Sequence, residues 1–291
     1  MAARIGVLGL GKMGGAFAAR LRDQGYETYG YDPSDAATER FVAEGGIAAS
    51  LKSVADCHTV ISSLPSDSEV IAVFDDQLLA DLSGGTLIEL STILPSTMVA
   101  LAGKAATHDV QVVDCPVSGG FNDARAGTIV LLVGADKAVL ERNTELLNAM
   151  GVVRYVGKVG NGKIVKLVNN MMSLGNMVVA AEAFALGASL GMDGQELFDV
   201  LNQSGGRSLS FTRRIPSVLQ RDFSARFALY LAEKDLRLAL EMGHQGSYPM
   251  PVTAAVHQVY EMATTMGLSS EDQAAVIKVY QAWAQRGNGD D

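Results

Sequence analysis

The sequence predicts a two-part α/β protein. An N-terminal doubly wound domain with a largely parallel sheet occupies residues 1–160, and an all-helical domain follows over 161–291, entered through one long helix. Three observations predict this. From Arg4 to about Val156, short β-rich runs alternate with helical patterns, as strands and crossover helices do when helices cover both faces of a sheet. After Gly160 the strand-like runs stop and helical periodicity takes over. The change falls at "GNGK", which opens an apolar, proline-free stretch reaching Leu190.

Composition bounds the rest. A chain of 291 residues is long enough for two cores, and 48% hydrophobic with 19% charged residues is ordinary for a soluble globular protein. Lys and Arg number 23 against 32 Asp and Glu, a net charge of −9. That balance argues against nucleic acid or an anionic membrane as partner, so an anionic ligand has to be held by local groups against the overall field. Cys57 and Cys115 have a spacing that suits neither a zinc site nor a disulfide framework, so no metal and a reducing, cytoplasmic compartment are expected. The opening "MAARIGVLGLG" lacks an h-region followed by a cleavage site and reads as no signal peptide. The apolar runs near Ile129 and Val178 read as too short or too interrupted for membrane spans, and the tail "RGNGDD" reads as disordered.

In order along the chain, the strand candidates are "RIGVLG", "YETYGYD", "HTVISSLP", "GTLIELST", "VQVVDCP", "TIVLLVG" and "VVRYVG". Beyond them a helix of about 40 Å is expected from Lys163 to Leu190, apolar around most of its circumference and so buried among other helices or against a second subunit. Helix breaks are expected at "GMDG" (191–194), "QSGGRS" (203–208), "IPS" (215–217), "GSYPMP" (246–251) and "GLSS" (267–270).

Directly after the first strand stands "GLGKMG", residues Gly9, Leu10, Gly11, Lys12, Met13 and Gly14, followed by a helical pattern. The first glycine permits a tight turn, the second lets a pyrophosphate approach the backbone, and the third lets helix and strand pack closely, while the helix N-terminus faces the phosphates. The second strand ends at Asp32, where a carboxylate can accept hydrogen bonds from the ribose and repel a 2′-phosphate. A Rossmann-type domain binding NAD in preference to NADP is expected, with a flavin as the lesser possibility. Ligands in open α/β sheets bind at the carboxyl edge, so Leu64, Pro65 and Thr92, at two further strand ends, are candidates to line the cofactor.

A second set of residues points to an acid. "DCPVSGG" ends in Ser118, Gly119 and Gly120, where a serine hydroxyl and free glycine N–H groups would form a small concavity for a carboxylate. Lys166 and Asn170 are four apart on one helix face, with Lys163 and Ser173 flanking them, a polar stripe on an apolar helix. Lysine near a helix N-terminus opposes the dipole. That position and partial burial would lower its pKa from about 10.4 toward neutrality, where it can exchange a proton with an alcohol or carbonyl.

Taken together, "GLGKMG", "LP" at 64–65, "STILP" at 91–95, "DCPVSGG", "GNGKIVKLVNN" and "EKDLRLAL" (233–240) resemble the β-hydroxyacid dehydrogenases along nearly the whole chain. The branch is that of 3-hydroxyisobutyrate dehydrogenase, tartronate semialdehyde reductase and L-threonate dehydrogenase. The resemblance implies NAD(P)-dependent interconversion of a short 3-hydroxy acid and its semialdehyde. It places the catalytic lysine on Lys166, the substrate asparagine on Asn170, the carboxylate loop on Ser118, Gly119 and Gly120, and a late cofactor lysine on Lys234. It further implies a homodimer or homotetramer. Glu69 departs from the uncharged residue usual near the adenine, and Phe121, Asn122 and Arg125 fall in a segment that varies among members. Reduction of tartronate semialdehyde, oxidation of L-threonate, and a non-catalytic NAD-binding sensor are the alternatives.

Overall fold

The structure, a computed structural model, describes residues 3–286; of the tail expected to be disordered, 286–291, Arg286 instead ends a helix, and 287–291 lie outside the described residues. The chain divides into two compact units, Met1–Lys166 and Leu167–Asp291.

The first unit contains β1 (Arg4–Leu8), β2 (Glu27–Tyr31), β3 (Ile47–Ala48), β4 (Thr59–Ser62), β5 (Thr86–Glu89), β6 (Gln111–Asp114), β7 (Val117–Ser118), β8 (Val130–Gly134) and β9 (Val152–Gly157). They form one sheet in the order β3-β2-β1-β4-β5-β6-β8-β7, with β9 also on β8. Its pairings are parallel except β6 with β8 and β7 with β8. The seven expected runs are all strands; β3 and β7, of two residues each, are too short for periodicity to register. Ile5, Val7, Ile61, Ile88 and Val113 enter one core, while Leu8, Val60, Leu87 and Val112 enter another. Successive side chains on a strand point to opposite faces, so neighbouring apolar residues feed two cores and the runs need no polar alternation. Full burial of each such side chain contributes roughly 1.5–3 kcal/mol.

The helix Lys12–Asp23 starts at an N-cap, Gly11, that supplies no side-chain capping bond, and it buries Ala16, Phe17 and Leu21 against the first core. The first-turn N–H groups are thus left to another acceptor.

The long helix runs from Asn161 to Ser189, 29 residues or about 43 Å. It starts two residues before the expected Lys163. It is uninterrupted, and an 18-residue window has a mean hydropathy of 1.4, enough by length and composition to cross a membrane. The reading of the run near Val178 as too interrupted is corrected accordingly. Much of the apolarity has another cause: Leu174, Met177, Val178, Ala181 and Phe184 are core residues of the second unit.

That unit continues with helices Gly194–Leu201, Leu209–Leu219, Leu229–Gln245, Pro251–Thr265 and Ile277–Arg286 and a short 3-10 turn, Gln273–Val276. Four of the five expected breaks separate these helices. The fifth does not, since Leu209–Leu219 passes through Pro216. Burial of Phe211, Ile215 and Val218 on its inner face outweighs the hydrogen bond that proline removes. Glu233, His257 and Glu261 form the one group among the described residues whose donor atoms, within 4.8 Å of one another, are of a kind that binds metal. Their proximity is accounted for by the pairing of His257 Nε2 with Glu233 Oε1 at 2.9 Å.

Candidate active site

The glycine-rich loop has the geometry that a dinucleotide requires. Gly9 has φ +84°, and a Cβ there would stand 2.3 Å from the Ser63 carbonyl oxygen. A Cβ on Gly14 would stand 1.8 Å from the Gly9 carbonyl oxygen, which is the close helix–strand packing expected of the third glycine. Gly11 differs, because a Cβ there meets no atom within 4 Å. That open space lies beside an uncapped helix N-terminus without acidic residues in its first turn, so the chain fits a bound pyrophosphate there.

Asp32 is tied to this loop. Its Oδ2 accepts from Leu10 N at 2.8 Å and its Oδ1 from Ser34 N at 2.8 Å. Each carboxylate oxygen retains acceptor capacity for a ribose hydroxyl. Leu64 and Thr92 are half-buried and Pro65 is exposed, on the segments that follow β4 and β5. The two segments are joined by a bond from Leu64 N to Ser91 Oγ at 2.8 Å. Glu69 is exposed, and its carboxylate takes the Ser66 hydroxyl.

The third and least expected feature is a buried polar cluster at the same edge. Ser62, Glu89 and Asp114 are in register across β4, β5 and β6. The Ser62 hydroxyl donates to Glu89 Oε2, and Ser91 N donates to Glu89 Oε1 at 2.6 Å. Asp114 Oδ2 accepts from Gly160 N at 2.8 Å and Lys163 N at 3.3 Å, so it caps the long helix. The Lys163 ammonium donates to the Glu89 carbonyl oxygen at 2.9 Å and lies 3.4 Å from Asp114 Oδ1 and 4.0 Å from Glu89 Oε1. The side chains of Lys163, Glu89 and Asp114 are all 0% exposed. Lys163 is therefore not a solvent-facing member of the polar stripe. Burial pushes the neighbouring Cys115 thiol up to about 12, with the Lys163 charge opposing the shift. Lys166 follows one turn later and is half-buried.

The carboxylate loop departs from expectation in one respect. Ser118 ends β7, Gly119 has φ +139°, and Gly120 caps the short helix Phe121–Ala126. Gly120 N donates to Asp123 Oδ2 at 2.7 Å, so the glycine pair does not offer two free N–H groups. An acidic side chain closing the turn takes one of them. Phe121 and Asn122 are exposed, and Arg125 pairs with Asp23 at 3.6 Å.

In the second unit, Asn170 Nδ2 donates to Asp235 Oδ2 at 2.6 Å, and Lys234 Nζ lies 3.6 Å from Asp235 Oδ1. Two candidates 64 positions apart in sequence thus converge on one buried carboxylate, 3% exposed. Asn170 Oδ1 also accepts from Asn169 Nδ2 at 3.0 Å, and Ser173 pairs with Ser210 at 3.0 Å. Sequence reasoning missed Glu89, Asp114 and Asp235. The available signal was a carboxylate at the end of an apolar strand in "TLIEL" and "QVVD", and an acid beside Lys234 on a half-buried helix. Within the units taken singly, two clefts of about 500 Å³ are lined by other residues, one including Tyr230, Glu233 and Met262, the other Pro95, Val99 and Ile164.

Comparison with known proteins bears on this geometry. The profile of the NAD-binding domain of 6-phosphogluconate dehydrogenase matches residues 4–160, and that described as NAD-binding of NADP-dependent 3-hydroxyisobutyrate dehydrogenase matches residues 160–280. The chain is 36% identical to 2-(hydroxymethyl)glutarate dehydrogenase of Eubacterium barkeri, covering 96% of this chain and 95% of the relative. It is 31% identical to L-threonate dehydrogenase of Cupriavidus necator, covering 96% and 97%. The solved structure of Mycobacterium tuberculosis 3-hydroxyisobutyrate dehydrogenase with L-serine superposes with a TM-score of 0.88 at 30% identity, covering 96% of this chain and 99% of that one. With a nucleotide loop built as described, matched along nearly its whole length to dehydrogenases, the chain belongs to the β-hydroxyacid dehydrogenase family of NAD(P)-binding oxidoreductases.

Proposed function

We propose that this protein is an NAD-dependent dehydrogenase of short 3-hydroxy acids, interconverting the alcohol and the semialdehyde with Lys166 as the proton-transfer group. The observation that carries the reading is the convergence at one carboxyl sheet edge of the chain after β1, β4, β5 and β6 with the start of the long helix, which carries Lys166 one turn after Lys163. Ligands of open α/β sheets bind at that edge.

The substrate class follows from what the relatives' substrates share. 2-(Hydroxymethyl)glutarate and 3-hydroxyisobutyrate are both 3-hydroxypropanoates substituted at C2, and so is the L-serine bound to the mycobacterial enzyme. The carboxylate and the CH2OH are constant while the C2 substituent varies. Ser118 and Gly119 are assigned to the carboxylate, and Phe121 and Asn122, exposed on the adjoining helix, to discrimination at C2. Tartronate semialdehyde, whose reduction gives a 3-hydroxypropanoate with a hydroxyl at C2, is an alternative within the class, and L-threonate, whose C3 carries a further CH2OH, is an alternative outside it.

The loop Gly9–Gly14 and Asp32 would hold NAD, which would supply the hydride acceptor for the alcohol carbon. The chain supplies orientation and proton management. Lys166, as the neutral amine, takes the hydroxyl proton at Nζ during oxidation and returns it during reduction. Asp235 holds one amide hydrogen of Asn170, which aims the other at the substrate. Asp235 also holds Lys234 beside Asn170, and Lys234 is assigned to the cofactor. Asp32, by repelling a 2′-phosphate, favours NAD over NADP. Val165, Val168, Met172, Val179 and Leu186 form an exposed apolar row on the long helix, spaced three, four and seven apart, which supports a homodimer or homotetramer. The cytoplasm is the assigned compartment, on the two unpaired cysteines.

The test is a panel of short 2- and 3-hydroxy acids assayed with NAD and NADP, followed by Lys166→Ala and Lys166→Arg. Both substitutions are expected to lower turnover at least about a hundredfold with NADH affinity largely kept, because guanidinium does not release its proton at working pH. Near-normal turnover in Lys166→Arg would show that only positive charge is needed and would end the acid–base assignment.

A further inference from the structure

The geometry points to Lys163 as a positioning residue that sets where Lys166 stands over the cofactor edge of the sheet. The inference rests on the reading of Lys166 as the proton-transfer group and deepens it.

An ammonium with no exposure is retained against a large desolvation penalty, so its partners must be held in place. Here they are. Glu89 is fixed by the Ser62 hydroxyl and Ser91 N, and Asp114 by Gly160 N and Lys163 N. The helix start is seated tightly as well: a Cβ on Gly162 would lie 2.6 Å from the Leu132 carbonyl oxygen and 2.8 Å from Asp114 Oδ1. Glycine there allows the first turn to rest on the strand ends, and Lys163 then fastens that turn to β5 and β6.

The cluster's members sit at fixed offsets from the assigned functional residues. Ser62 stands two before Leu64, Glu89 three before Thr92, Asp114 four before Ser118, and Lys163 three before Lys166. Lysines three apart on a helix share a face, so a change in how Lys163 is seated moves Lys166 with it. The bonds that hold Glu89 to Ser62 and Ser91 do not involve Lys163, so the segments that line the cofactor keep their anchor when Lys163 is changed. Cofactor affinity and turnover are therefore separable.

The experiment compares Lys163→Met with Lys163→Gln, side chains of equal length of which only glutamine keeps a donor for the Glu89 carbonyl. Steady-state kcat is measured on the hydroxy acid that the panel identifies, and NADH affinity by fluorescence titration. Lys163→Met is expected to lower kcat by roughly thirty- to a hundredfold, the cost of misplacing a reacting group by about an ångström, with the NADH dissociation constant within about threefold. Lys163→Gln is expected to recover about tenfold of that loss. Lys163→Met with kcat within about threefold of the parent overturns the inference, as does equal impairment of both variants with NADH affinity lost in parallel. Should Lys163→Met fail to fold, Gly162→Ala, which displaces the helix start without removing a charge, is expected to lower kcat about tenfold at kept NADH affinity. Unchanged kcat there is equally fatal. Lys166→Ala measured alongside separates the two ideas: an active Lys166→Ala enzyme removes the acid–base reading itself, whereas an inactive one beside a normal Lys163→Met removes only the positioning role.

Discussion

Two glycines of one loop should fail in different ways when given a methyl group. In Gly14→Ala the new Cβ would lie 1.8 Å from the Gly9 carbonyl oxygen, whereas real Cβ atoms essentially never come closer than 3.0 Å. Neither atom belongs to a flexible side chain, so the helix start or the loop must retreat by at least about 1.2 Å, the difference of those two distances. Forced backbone shifts of this kind cost roughly 1–3 kcal/mol, or several degrees in Tm for a chain of this size. The same shift carries the first-turn N–H groups away from a pyrophosphate, and NADH affinity should fall at least about tenfold. Gly11→Ala meets nothing within 4 Å and keeps an ordinary φ of −64°, so it should cost no more than about 1 kcal/mol as an N-cap change. Its methyl group nevertheless occupies the space assigned to the pyrophosphate, and NADH affinity should again fall about tenfold. Thermal unfolding and NADH fluorescence titration on both variants give the comparison. A Gly14→Ala protein with parental Tm, or a Gly11→Ala protein that binds NADH as the parent does, would refute the reasoning.

Asp32→Ser is expected to narrow the preference for NAD over NADP at least about tenfold in kcat/KM. Because Leu10 N and Ser34 N lose their acceptor, it should also lower stability by about 2 kcal/mol; a parental cofactor ratio would remove Asp32 from the ribose site. The Tyr260 hydroxyl is buried without a hydrogen-bond partner, and burial, with Asp272 nearby adding to it, raises its pKa. The folded state thus keeps a proton that the unfolded chain releases above pH about 10, so stability is present below that pH and declines above it, by up to about 1.4 kcal/mol per pH unit. Tyr260→Phe should remove this part of the alkaline loss and be neutral or more stable by about 1 kcal/mol at pH 8. Urea midpoints from pH 8 to 11 that run parallel in the two proteins would contradict it.

Local pattern determined a large share of this protein. The strands announced themselves as continuous apolar runs because both sheet faces are buried, and the nucleotide loop as glycines because close packing and a positive φ admit nothing else at Gly9 and Gly14. Helix ends were legible where glycine or proline interrupts the chain, but not at Pro216, where burial of Ile215 and Val218 carries the helix through. Tertiary structure alone decided the fate of the charged residues. Nothing in "GNGKIVK" distinguishes Lys163, wholly buried between Glu89 and Asp114, from Lys166, half-buried one turn later. Nor does "SGG" reveal that Asp123 takes the Gly120 N–H, or "EKDL" that Asp235 joins Asn170 to Lys234. The Asp123 bond is a local turn three residues long that glycine conformation alone does not announce, but Lys163 and Asp235 share a deeper reason: hydrophobic periodicity and backbone conformation are properties of neighbours in sequence, whereas a buried charge is tolerated only through partners that the fold brings from 49, 65 or 74 residues away.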